Sequence, residues 1–138
     1  MEKKLVLFGV SIVLLTITFS GCQEEATLVE KNFEGIYFNS DILELVNGSL
    51  DITKDKEIIT RIEVTLYFKN LLNEDINLEY AVEFCDKNDN VLYYKSYEIK
   101  NFPAKYTEAS PDTFLYNGKN VADFDHVNVH VLSHKVIE

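Results

Sequence analysis

Three histidines recur every four residues near the C-terminus, at His126, His130 and His134. On a helix that spacing would align three imidazoles on one face, an arrangement that suits zinc. Val127, Val129 and Val131 between them point to a strand instead, where four residues span about 13 Å, too far for two imidazoles to share one ion. No metal site and no cofactor is expected from this run. Asp86-Lys87-Asn88-Asp89-Asn90 begins like a calcium loop, with oxygen side chains at alternate positions. Val91 stands where that loop needs Gly and Tyr97 where it needs Glu, so the segment is expected to be a turn. Cys85 precedes it without a CxxC partner or a histidine beside it in sequence. It is expected to be a small, half-buried side chain on the polar side of its strand.

Tyrosine supplies the remaining chemistry. Tyr93, Tyr94 and Tyr97 cluster in one segment, with Tyr106 and Tyr116 nearby in sequence. Tyrosine combines apolar area with a hydroxyl and suits a face that binds a sugar or peptide. Adjacent strand residues point to opposite faces, however, and tyrosines of a small sandwich commonly cover its core edges. Catalysis lacks its parts. There is no Gly-x-Ser-x-Gly elbow, no phosphate loop and no cysteine with a base matched to it in sequence. No catalytic residue is assigned, and the chain is not expected to be an enzyme.

The elements that must carry these residues read as strands. Ile62, Val64, Leu66 and Phe68 alternate with Glu63, Thr65 and Tyr67, and Ile76, Leu78, Tyr80, Val82 and Phe84 alternate with Asn77, Glu79, Ala81 and Glu83. Such a period of two places one face of each strand inward. Further strands are predicted at 35–38, 42–46, 50–52, 91–99, 112–116 and 127–131. Asn47-Gly48 is predicted to turn a hairpin, because both residues tolerate positive φ. Asn47-Gly48-Ser49 is also a glycosylation sequon, with Asn47 as the acceptor on that turn. No segment beyond the N-terminus keeps a helical period over eleven residues. With 138 residues and 46% apolar content, the expectation is one all-β domain, a sandwich or barrel.

The N-terminus has a different character. Two lysines, Lys3 and Lys4, precede the uncharged stretch Leu5 to Phe19, which is short for a bilayer span of about 20 residues and reads as a signal peptide helix. Ser20 and Gly21 then place small side chains directly before Cys22. Phe19-Ser20-Gly21-Cys22 resembles the lipobox of bacterial and some archaeal lipoproteins, with Phe19 where Leu is usual. The resemblance implies cleavage between Gly21 and Cys22, a diacylglycerol on the Cys22 thiol, and a domain held on the extracytoplasmic face of the cell membrane. Two acyl chains suffice for stable anchoring where one is marginal. Cys85 would then have no disulfide partner within its chain. The predicted organisation is signal peptide 1–21, lipidated tether 22–32 and sandwich domain 33–138. The net charge of −10 argues against nucleic acid and against docking on anionic headgroups, so the membrane contact falls to the lipid.

Residues 60 to 100, above all Ala81-Val82-Glu83-Phe84-Cys85-Asp86-Lys87-Asn88-Asp89-Asn90-Val91-Leu92, are similar to the strand, Asp-rich turn and strand of FxLYD-type and related immunoglobulin-like domains of microbial lipoproteins. That likeness implies an immunoglobulin-like antiparallel β-sandwich and transfers no site residues. In that topology the strands on either side of 71–75 can belong to opposite sheets, whereas the short link alone suggests a hairpin. The resulting expectation is an envelope lipoprotein whose sandwich binds or scaffolds an envelope protein or glycan. The alternative is a small-ligand or metal-binding accessory of an envelope transporter or enzyme.

Overall fold

The structure, a computed structural model, describes residues 33–138. The signal peptide, Cys22 and the tether to residue 32 lie outside the described residues. Among the described residues there are seven strands: β1 Ile36–Phe38, β2 Leu43–Asp55, β3 Ile58–Asn70, β4 Ile76–Cys85, β5 Val91–Phe102, β6 Asp112–Tyr116 and β7 His126–Val136, with a short 3-10 turn at Val121–Asp123. They form a four-stranded sheet in the order β1-β7-β4-β5 and a three-stranded sheet in the order β2-β3-β6. Pairing is antiparallel except between β1 and β7, which run parallel. Among the described residues no helix is long and apolar enough to cross a membrane.

The alternating sequences behave as period-two strands must. Ile62, Val64, Leu66 and Phe68 of β3 are buried, as are Ile76, Leu78, Tyr80, Val82 and Phe84 of β4, and both rows belong to one apolar core between the sheets. Each such side chain contributes about 1.5–3 kcal/mol of transfer free energy when fully buried. β3 and β4 lie in different sheets, so the link between them crosses from one layer to the other rather than closing a hairpin. Asn70 makes that crossing possible. Its side chain is wholly buried, and Nδ2 donates to the carbonyls of Glu74, Phe102 and Pro103, each at 3.0 Å, while Oδ1 accepts the Leu72 N–H at 2.9 Å. One amide thus satisfies backbone groups of the crossing link and of the end of β5, groups that could not be left unpaired inside the fold.

The Asn47-Gly48 hairpin is not formed. Both residues lie within the single strand β2, where Val46 is the extra residue of a β-bulge against β3, and neither takes a positive φ. Gly48 is small for a different reason: a Cβ there would sit 3.2 Å from Ile36 and 3.5 Å from Phe33, which pack close against this part of β2. The actual turn is Lys56-Glu57, with φ of 54° and 71°. A two-residue hairpin loop of type I′ has positive φ at both positions, which matches the twist of its strands, and here long-side-chain residues accept that conformation.

Two outcomes follow for stability. Replacing Lys56-Glu57 by Asn-Gly is expected to raise unfolding free energy by about 1 kcal/mol, read as a higher urea midpoint at unchanged m-value. Asn70→Ala is expected to cost about 3 kcal/mol or more, because it orphans several buried backbone groups at once, with heat or urea unfolding as the readout.

Candidate functional site

The outer face of the four-stranded sheet brings together residues that are distant in sequence. Cys85, the last residue of β4, pairs directly with His126, the first of β7. Opposed residues of an antiparallel pair project to the same face, so the thiol and the imidazole become neighbours. The turn between β4 and β5 then folds Asp89 toward them. Asp86 holds this turn: its Oδ1 accepts the N–H groups of Asn88 and Asn90, each at 2.9 Å, and its Oδ2 accepts Asn90 Nδ2 at 3.1 Å. Asp89 takes φ of 66°, a conformation that aspartate tolerates well. These bonds to its charged form hold the Asp86 carboxyl below its ordinary range.

The ligating atoms of Cys85, Asp89 and His126 all lie within 4.8 Å of one another. His126 Nε2 meets Asp89 Oδ1 at 2.7 Å and Nδ1 meets Asp125 Oδ2 at 2.9 Å. The ring of Tyr37 stands edge-on to the imidazole at 5.5 Å between centroids. Burial alone would lower the His126 pKa, but the hydrogen bonds and charges of Asp125 and Asp89 outweigh it and raise the pKa. Cys85 is only 1% exposed, against the half-buried position expected for it. It does face outward, as alternation requires, but it sits on an interior strand of the sheet between β5 and β7, where its neighbours close over it. Burial, followed by the charges of Glu83 and Asp89, pushes the thiol up to about 11, so at neutral pH it carries its proton. Asn128 Nδ2 lies 3.6 Å from the sulfur. A shallow hollow of about 370 Å³ adjoins the same turn, lined by Asp86, Lys87, Asn88, Asp123, Phe124 and Asp125.

The other residues singled out by sequence are dispersed. His130 lies on the same face but bonds Glu83 at 3.1 Å. His134 pairs with Leu78 beyond a register shift at Glu79 and Tyr80, which turns it to the opposite side. Tyr93 and Tyr97 cover the core edge: Tyr93 stacks on Tyr116 at 5.0 Å and Tyr97 packs against Tyr80 and Phe114. Tyr94 pairs with Glu83 on the outer face and is 50% exposed. Asn47 is exposed on β2 rather than on a turn.

A second cluster carried no signal in sequence. Tyr80, in the core, donates its hydroxyl to Asp112 Oδ2 at 2.7 Å. Asp112 is also hydrogen-bonded to Glu108, whose Oε1 accepts the Phe68 N–H at 2.9 Å. Burial pushes the Glu108 carboxyl up to about 8, with the adjacent Asp112 charge raising it further against the Phe68 bond. Burial likewise raises Asp112. Two carboxyls so close cannot both ionise cheaply, and they retain a proton between them at neutral pH. The segment between β5 and β6 is thereby fastened over the edge of β3. Two acids four residues apart are too common a pattern to mark such a cluster in sequence.

An acid whose folded pKa lies above its unfolded value binds its proton more tightly when folded. The stability it confers is complete below its ordinary value of 4.5 and is lost as pH rises through about 8. Glu108→Gln keeps both an acceptor for Phe68 and a donor for Asp112, so it is expected to flatten the fall of stability with pH over that window. Urea unfolding of both proteins at a series of pH values measures this; parallel curves would remove Glu108 from the account.

No family model matches the chain, and no curated protein matches it. Among solved structures it is similar to Campylobacter jejuni cj0090, at 15% identity over 72% of this chain and 100% of that one, with a TM-score of 0.43. It is also similar to a DUF1425 family member from Shewanella sp. pv-4, at 14% identity over 63% of this chain and 76% of that one, with a TM-score of 0.40.

Proposed function

We propose that this is a lipid-anchored protein of the cell envelope, whose immunoglobulin-like sandwich works on the extracytoplasmic face as a protein-interaction module. Support for the anchor is the sequence Phe19-Ser20-Gly21-Cys22 after an uncharged stretch of signal-peptide length. Support for the immunoglobulin-like class is the division of seven strands into sheets of four and three, with the chain changing sheets at β1 to β2, β3 to β4, β5 to β6 and β6 to β7.

The observation that carries the interaction role is the edge of β5. This strand runs from Val91 to Phe102 and, among the described strands, pairs only with β4, leaving one side of a 12-residue backbone unpaired. A long open edge is a template for an added strand, and β-augmentation is the corresponding mode of recognition. Lys95 and Lys100 guard it against indiscriminate pairing, while the exposed rings of Tyr93, Tyr94 and Tyr97 offer contact area along it. The partner is an extended segment of another envelope protein, neutral or basic in keeping with the acidic chain. No catalytic role is included.

Mass spectrometry of protein extracted from its own membrane is expected to find a chain beginning at Cys22 with a diacylglycerol adduct, absent from Cys22→Ala. An intact signal peptide would contradict the anchor. A photo-crosslinking residue at Tyr94 is expected to capture a partner in intact cells, whereas the same residue at Ile52 on β2 is not. Crosslinking at Ile52 alone would place the docking surface elsewhere.

A further inference from the structure

We propose that Cys85, Asp89 and His126 form a binding site for a zinc-class divalent cation. The donor set is one sulfur, one imidazole nitrogen and one carboxylate oxygen, all within 4.8 Å of one another. Sulfur and imidazole select a borderline-soft ion such as Zn²⁺ and disfavour Ca²⁺ and Mg²⁺, which take oxygen. With bonds of about 2.0–2.3 Å, tetrahedral ligands stand roughly 3.3–3.7 Å apart. The 2.7 Å contact between His126 Nε2 and Asp89 Oδ1 must therefore open slightly and the wider separations close. Asp89 can make that adjustment, since its side chain is 74% exposed on a turn, while Cys85 and His126 are fixed by strand pairing.

The surroundings are those a metal site requires. Asp125 holds Nδ1 at 2.9 Å, which leaves Nε2 directed at Asp89 as the nitrogen that coordinates. A carboxylate on the far nitrogen is the usual support of a metal-bound histidine, fixing its tautomer and raising its basicity. Asn128 Nδ2, at 3.6 Å from Sγ, is placed to donate to a thiolate. Glu83 and Asp86 add negative charge near the sulfur without joining the trio. On binding, the Cys85 thiol gives up its proton to solvent and coordinates as the thiolate. The exposed side of Asp89 is the way in, and water completes the coordination. This site is independent of the β5 edge and of the lipid anchor.

The test uses the full chain carrying Cys22→Ser, which leaves Cys85 as its single thiol, titrated with Co²⁺ and then with Zn²⁺. The expected result is a near-ultraviolet sulfur-to-cobalt charge-transfer band with tetrahedral visible absorption, both displaced by Zn²⁺. Cys85→Ser should abolish the band. Asp89→Asn keeps a residue suited to positive φ, so the turn is retained, and it should weaken binding at least tenfold; Asp125→Asn should weaken it about 10–100-fold. Co²⁺ binding without the sulfur band, or equal affinity in Asp89→Asn with unchanged circular dichroism, would overturn the proposal. Zn²⁺ should also protect Cys85 from alkylation, and equal alkylation with and without it would count against the site.

Discussion

The register of β4 against β7 is the constraint on which the rest of this structure depends. Phe84 opposite Val127 and Val82 opposite Val129 place four apolar side chains inward, and their burial fixes which residues face out. Cys85 and His126 are opposed for that reason alone. A slip of one residue would turn Phe84 and Val82, both fully buried, outward, so packing energy holds a polar corner in place. The chemistry of the outer face is thus set by the apolar face behind it. At the other end of the pair, a register shift at Glu79 and Tyr80 marks where this control lapses, and beyond it His134 no longer shares a side with His130.

The polar groups that penetrate the fold fall into three physical kinds. Asn70 is neutral and fully satisfied, and it allows backbone to pass between sheets without unpaired amides. Glu108 and Asp112 are ionisable, and burial together with mutual repulsion retains a proton that solvent would remove. Asn70 imposes no pH dependence; the carboxyl pair does. His126 is a third arrangement, an imidazole between two carboxylates, in which opposite charge overrides the cost of burial. These differences follow from whether the buried group can ionise and from the charge of the groups beside it.

Much of the framework was legible in sequence because it rests on alternation. Ile62 to Phe68 and Ile76 to Phe84 have the inward row that their pattern implies, and Asp86 to Asn90 is the turn its side chains favour. Local signals failed where tertiary contact overruled them. Asn47-Gly48 has the residues of a turn, but Ile36 and Phe33 pack close against Gly48 and the strand runs through. Lys56-Glu57 has no such signal and turns nonetheless, because the pairing of β2 with β3 on either side leaves two residues to do it. The cluster at Cys85 was hidden for a simpler reason. Cys85 and His126 are brought together only by strand pairing, and the regular spacing of three histidines along β7 carries no information about what lies across on β4.

The most direct measurement of this account is disulfide trapping across β4 and β7. In a full chain carrying Cys22→Ser, the thiol introduced by His126→Cys lies opposite Cys85, at a separation compatible with a disulfide. Mild oxidation should join the two. The thiol introduced by Val127→Cys faces the core opposite Phe84 and should stay reduced. Bond formation at Val127→Cys with His126→Cys left free would mean that the register is shifted by one residue, and that Cys85, Asp89 and His126 do not meet.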